Sequence, residues 1–381
     1  MDFSFSDDQL MLQDSLGKLL ASLYPAEKRH SLMAGFLGTD AAAWGQFADM
    51  GLFGIGVDEA YEGFGGDTTD LCLVCEGMGQ RLALEPYSGQ QTLAVPLLQR
   101  AGSEQQCAEL LPRLVDGSLK LAAALEEPHS RFDRSAVATR ASKVAGGYVL
   151  SGHKAMVLGG DCADKLILSA RTSGNDGDAA GISLFIVDVA EEGVDVQRYP
   201  LLDGRGAADI RFREVPLSEA CRLGCEGEAL AVIEQASDIA TAALCAEAVG
   251  AMAEANRLTA EYLETRKQFG REIGRFQTLA HRLVDMELVT EQARSMMLYA
   301  AMMADTQDAT ARRVAISQAK VQVGRSARQV LKDATQLHGG IGVTDECLIS
   351  HYVKKLLLCD LLFGGQDHHL AQLAAALPQS A

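Results

Sequence analysis

The sequence predicts an α+β multidomain fold, because its residue period changes twice and its composition shifts toward helix formers in the last third. Residues 1–118 carry helix signals, residues 119–225 alternate as strands do, and residues 226–381 return to long helical runs. In the first block, Ser6-Asp7-Asp8-Gln9 has the capping-box pattern, in which serine and glutamine side chains satisfy the orphan N–H groups of a helix start. Ser103 to Gln106 repeats it, and the glycine-rich stretch Tyr61 to Asp67 between them is expected to be a turn. In the second block, Asp209 to Arg213 alternates as a half-buried strand, and Gly181 to Val189 is a β-rich apolar run. Gly147 to Lys154 reads as a hairpin arm turned at Gly152, and the Gly/Asp/Asn cluster between Thr172 and Gly181 as a surface loop. This block is expected to form a compact β-domain, a β-barrel. The third block holds two stretches rich in Ala, Leu, Glu, Gln and Lys, each longer than an ordinary globular helix, so a four-helix bundle is expected there.

Composition narrows the function classes. A chain of 381 residues with 48% hydrophobic and 22% charged content buries a large core. A net charge of −17 argues against a nucleic-acid surface, which wants clustered Lys and Arg. No run of about 18 apolar residues is seen, so no membrane span is expected. The acidic start, Met1 to Gln9, lacks the basic and apolar regions of a secretory signal. Nine scattered cysteines without paired spacing suit a reducing cytoplasm. Cys72-Leu73-Val74-Cys75 lies in an apolar helical stretch and is expected to be core packing; no metal site is expected. Walker, HExxH, GxSxG and strand-to-helix GxGxxG motifs are absent.

Two motifs carry the chemistry. Thr265 to Gln277 reads TRKQFGREIGRFQ, where Gly270 and Gly274 break a helical pattern. Arg266 offers a forked pair of donors suited to a diphosphate, and Phe269 an aromatic face for a ring. Gln336 to Gly342 reads QLHGGIG, where Gly339 and Gly340 permit a left-handed turn and close backbone approach to a ligand. Together, in this order, and with a helix–β–helix layout spanning the chain, they resemble the flavin-gripping signature of the acyl-CoA dehydrogenase family. The resemblance implies the fold of that family and FAD as cofactor. It assigns Arg266, Gln268, Phe269, Gln336, Gly339 and Gly340 to FAD seated mainly on a neighbouring subunit. It also implies α,β-desaturation of an acyl-CoA thioester: a carboxylate takes the α-proton, the β-hydrogen leaves as hydride, and an electron-transferring flavoprotein accepts the electrons.

The sequence departs from that family pattern where the base belongs. Counting on from Gln336, the base position is Phe363, within Leu362-Phe363-Gly364-Gly365 in place of Tyr-Glu-Gly-Thr. The alternative family position, counted back from Phe269, is Ala240. In the β-domain the family's Trp-x-Thr falls on Met156 and Leu158, and its Glu-Pro-Gly-Ala-Gly-Ser-Asp loop becomes Glu127 to Asp133. Asp238, Asp360 and Asp367 lie near the vacant positions, and Asp367-His368-His369 reads as a solvated helix start. The chain end and two helical stretches are similar to the small subunits of pimeloyl-CoA dehydrogenases and to paired subunits acting on steroid side-chain CoA esters. The expected protein is one subunit of a cytoplasmic FAD-dependent heteromer, a tetramer completed by a second acyl-CoA dehydrogenase chain. The alternatives are a self-sufficient homotetramer with a displaced carboxylate, or a flavin monooxygenase or acyl-CoA-binding scaffold on the same fold.

Overall fold

A computed structural model describes residues 5–34 and 39–377. Helix α1 (Asp7–Leu23) begins at the predicted capping box, with Gln9 N donating to Ser6 Oγ at 3.2 Å and Ser6 N to Gln9 Oε1 at 3.0 Å. Then come α2 (Arg29–Met33), α3 (Ala41–Asp49), α4 (Thr68–Arg81), α5 (Tyr87–Gly89), a π-helical turn at Gln90–Ala94, α6 (Val95–Ala101) and α7 (Glu104–Val115). The second capping box, Ser103 with Gln106, opens α7 as predicted. Strands β1 (Leu121–Ala124), β2 (Arg140–Val144), β3 (Gly147–Leu158), β4 (Lys165–Arg171), β5 (Ile182–Asp188), β6 (Val194–Pro200), β7 (Gly206–Ser218) and β8 (Arg222–Leu223) follow. The chain closes with α8 (Leu230–Thr265), the short pair β9 (Lys267–Gln268) and β10 (Arg271–Glu272), α9 (Gln277–Ala304), α10 (Ala309–His338), α11 (Leu348–Leu361) and α12 (Gln366–Ala376).

Two compact units emerge: Met1–Gly35 with Thr68–Ala83 and Thr241–Ala381, and Phe36–Asp67 with Leu84–Ala240. In the helical unit, α4 and α8 cross backbone to backbone. A Cβ on Gly79 would stand 1.9 Å from Glu247 O, and one on Gly250 would stand 1.9 Å from Glu76 O. Only glycine permits that approach. Lys355 and Glu247, each with a side chain 2% exposed, form an ion pair at 2.5 Å within this core. Cys72 and Cys75 are buried on α4, as the sequence suggested. Helix α8 is long and apolar enough by length and composition to cross a membrane, a property the sequence reading did not register. Some 94% of its apolar window is buried inside the protein, which is the environment of a core helix.

The other unit is built on an eight-stranded sheet of order β6-β7-β3-β2-β4-β5-β8, with β1 parallel to β4. Strands β4 and β5 pair over seven residues, and Leu150, Leu168, Phe185, Ile210 and Phe212 lie in the apolar core. Along β7 the predicted alternation holds: Ile210 and Phe212 are buried, Arg211 and Arg213 exposed. The expected turn at Gly152 is not one. Strand β3 runs straight through it, with a register shift beside it. Glycine is needed there because a Cβ would lie 2.3 Å from Thr139 Oγ1. The predicted surface loop after β4 is pinned by buried Arg171, whose guanidinium donates to the carbonyls of Val137, Ala180, Ser135 and Asp178 at 2.8–3.1 Å.

Candidate cofactor site

Helix α8 ends in a hydrogen bond from Arg266 N to Tyr262 O at 2.9 Å, after which the chain reverses in the hairpin β9–β10. Gln268 pairs with Arg271 across a two-residue turn in which Phe269 (φ 52°) and Gly270 (φ 80°) are both left-handed. That is the geometry of a type I′ turn, which matches the strand twist but favours Asn or Gly at its first central position. A phenylalanine there carries about 1–2 kcal/mol of backbone strain. The hairpin is braced below, by Ile273 N to Arg266 O at 2.9 Å, Arg275 to Glu272 at 2.8 Å, and the Arg271 guanidinium 4.2 Å over the Phe276 ring. Above the brace, Phe269 is 90% exposed. Arg266 and Gln268 are exposed, and their side chains make no hydrogen bond or ion pair among the described residues.

The second motif ends α10. Gln336, Gly339 and Gly340 are exposed, and the Gln336 amide is likewise without a partner among the described residues. Gly339 takes φ 67°, and a Cβ on either glycine would meet open space. Gly342 folds back onto the helix, where a Cβ would stand 3.0 Å from His338 Cβ. His338 is buried, its Nδ1 donates to Ala334 O at 2.9 Å, and its ring stacks on Tyr262 with centroids 4.4 Å apart and planes 20° apart. Burial pushes the imidazole below its ordinary pKa, so it is neutral near pH 7. This donor set suits a dinucleotide: a forked cation for a diphosphate, an exposed ring, an amide, and glycine backbone open to close approach.

Neither expected base position holds a titratable group. Ala240 is buried on α8, and Phe363 is half-buried with φ 56°, followed by Gly364 at φ 103°. The segment is nevertheless held tightly from one face of α10. Lys320 Nζ donates to the carbonyls of Cys359 and, at 3.1 Å, Asp360. Arg328 Nε and Nη2 grip Asp360 Oδ2 at 2.9 and 2.6 Å, while Gly324 leaves room for that carboxylate. His369 bridges Ser317 Oγ and Phe363 O at 3.1 Å each. Asp360 is therefore an anchor. Asp367 is exposed in the first turn of α12, as the sequence suggested, and Asp238 is buried. His369, expected in a solvated helix start, is buried, while Tyr262, Lys320 and Arg328 were not singled out from the sequence. Their partners lie dozens of residues away, and no local pattern marks them.

In the sheet-containing unit, the altered loop is closed on itself. Glu126 takes Arg134 and, at 2.9 Å, Ser130 Oγ. Arg131 and Phe132 sit at φ 45° and 70°. Glu127 receives Lys154 Nζ at 2.6 Å and the amides of Ala138 and Thr139. Burial works to raise the Glu127 carboxyl, but the Lys154 charge and these donors outweigh it and hold it below its ordinary range. Met156 stands at φ 51° with its amide on Asp209 Oδ1 at 3.0 Å; Leu158 is half-buried.

Three family descriptions match: acyl-CoA dehydrogenase N-terminal domain over residues 6–118, middle domain over 122–215, and C-terminal domain over 230–377. Acryloyl-CoA reductase (NADH) of Anaerotignum propionicum is 28% identical over 98% of this chain and 95% of its own length. PigA, solved with FAD and proline, superposes with a TM-score of 0.89 at 26% identity over 98% of each chain. A variant of the Tcur3481-Tcur3483 steroid ACAD superposes with a TM-score of 0.86 at 28% identity over 97% of each chain.

Proposed function

The chain belongs to the acyl-CoA dehydrogenase family, oxidoreductases acting on a CH–CH bond, and we propose that it is the base-less subunit of a heteromeric FAD-dependent acyl-CoA dehydrogenase. One observation carries the reading. Phe363 and Ala240 occupy both expected base positions, while the side chains of Arg266, Gln268 and Gln336 stand exposed without a polar partner among the described residues and Phe269, though edge-on to Phe276, is 90% exposed. The closed loop at Glu126 to Arg134 supports it, because Glu126, Ser130 and Arg134 are committed to one another. The presence of two proteins in the Tcur3481-Tcur3483 structure supports a paired assembly, and PigA's FAD supports the cofactor.

In this reading the domains divide near residues 118 and 225, and two copies each of this chain and a second family member form a tetramer. Bound FAD supplies the hydride acceptor for the β-hydrogen of an acyl-CoA thioester. Arg266 holds the diphosphate, Phe269 covers a ring face, and Gln336 with the Gly339–Gly340 backbone receives the remaining polar edge. The partner chain supplies the carboxylate that takes the α-proton. An electron-transferring flavoprotein removes the electrons. Nine cysteines, none joined in a disulfide among the described residues, suit a reducing, cytoplasmic setting.

Co-expression with a neighbouring dehydrogenase gene tests the proposal. The expected result is a co-purifying, flavin-loaded assembly with acyl-CoA turnover, and little flavin on this chain alone. A flavin-loaded homotetramer of this chain with turnover of its own overturns it.

A further inference from the structure

We infer that the Tyr262–His338 ring stack is the positioning element that sets the Phe269 hairpin against the Gly339–Gly340 turn, so that both motifs engage one flavin dinucleotide. The inference rests on the flavin reading above and adds Tyr262, outside both motifs, and His338, which lies within the second motif without an assigned role. The hairpin inherits its direction from the last turn of α8, because Arg266 N is bonded to Tyr262 O. The glycine turn inherits its direction from His338, since the Gly339 amide caps α10 and Gly342 packs against the His338 Cβ. The two rings join these helix ends directly, at 4.4 Å between centroids and nearly parallel. The imidazole cannot swivel freely. Its Nδ1 proton is committed to Ala334 O, fixing both ring plane and tautomer. Burial keeps it uncharged, so the stack persists across the neutral range.

A fixed separation matters because a bivalent grip works only when both halves meet the ligand together. Without the stack, each motif keeps its own local fold: the hairpin retains its ladder and the turn its cap. What is lost is their relative placement. Tyr262 and His338 touch no reacting atom in this account and are positioning residues.

The test is FAD affinity of the co-purified assembly, measured by fluorescence titration after flavin removal, beside the melting temperature of the flavin-free assembly. Tyr262→Ala and His338→Ala are expected to weaken FAD binding about tenfold. Tyr262→Phe, which keeps a ring and leaves the His338–Ala334 hydrogen bond in place, is expected to hold the wild-type value and melting temperature, whereas the alanine variants lower the melting temperature as well as the affinity. If either alanine variant fails to assemble, Tyr262→Leu is compared with Tyr262→Phe by the same criterion. Arg266→Ala serves as the reference. FAD loss there, with wild-type affinity in the alanine variants or no rescue by phenylalanine, overturns the positioning role and leaves the flavin reading standing. Wild-type affinity in Arg266→Ala overturns the flavin reading and the stack's role with it.

Discussion

The two regions that the family resemblance ties to flavin have been treated in opposite ways. In the helical unit, the hairpin and the glycine turn keep their polar and aromatic groups exposed, and Phe269 is held out on a strained backbone. In the sheet-containing unit, the corresponding loop has turned inward: Glu126 binds Arg134 and Ser130, and Glu127 binds Lys154. A surface that awaits a ligand or partner leaves donors unpaired and accepts local strain. A site no longer used relaxes until its polar groups satisfy one another. On the proposed reading, the contrast separates a motif kept for another chain from one no longer used.

The largest expected effect lies on the inward-turned side. Lys154→Met leaves the Glu127 charge buried without its main partner, and should cost about 3–5 kcal/mol in urea unfolding. A cost below 1 kcal/mol would mean that the closed network is decorative, and the contrast would blur. The same unit holds an acid with one carboxyl oxygen left unpaired among the described residues. Glu85 is 4% exposed, its Oε2 has no hydrogen-bond partner among the described residues, and burial pushes it up to about 7, against the pull of nearby backbone amides. Folded Glu85 keeps its proton up to about pH 7, whereas the unfolded chain releases it near 4.5. Its contribution is therefore full below 4.5 and is lost as the pH rises to 7, about 3 kcal/mol in all. Glu85→Gln should flatten that decline in melts taken between pH 4.5 and 7.5. The smallest effects sharpen the comparison most. Phe269→Asn should raise stability by up to about 1 kcal/mol, because Asn tolerates the left-handed turn, while weakening flavin binding. Glu126→Gln should do the reverse, costing about 1 kcal/mol or less with flavin content unchanged. Opposite signs in melting temperature and flavin absorbance support the division; equal signs would break it.

The sequence made local chemistry legible. Both capping boxes, the alternation of β7 and the glycine-broken helix ends are patterns within a few residues, and each is where it was expected. Contacts between distant residues were not legible. Gly152 looked like a turn because glycine often is one, yet its neighbour in space is Thr139. Lys154, Lys320 and Lys355 carry no local sign of burial in the sequence and are buried, because their partners come from other strands and helices. The same limit governs the site. The motifs named Arg266, Phe269 and Gln336, but only the structure shows that these groups stand exposed and that Tyr262 meets His338 beneath them.

The grip of α10 on the end of α11 has an evolutionary consequence. Lys320 and His369 hold carbonyls, and Arg328 holds Asp360, so much of what fixes the path of the chain through position 363 lies outside that residue. A side chain at such a position still meets the left-handed backbone, φ 56°, but the anchors around it remain. Chemistry can be deleted at that point, or written back, while the architecture around it is inherited intact.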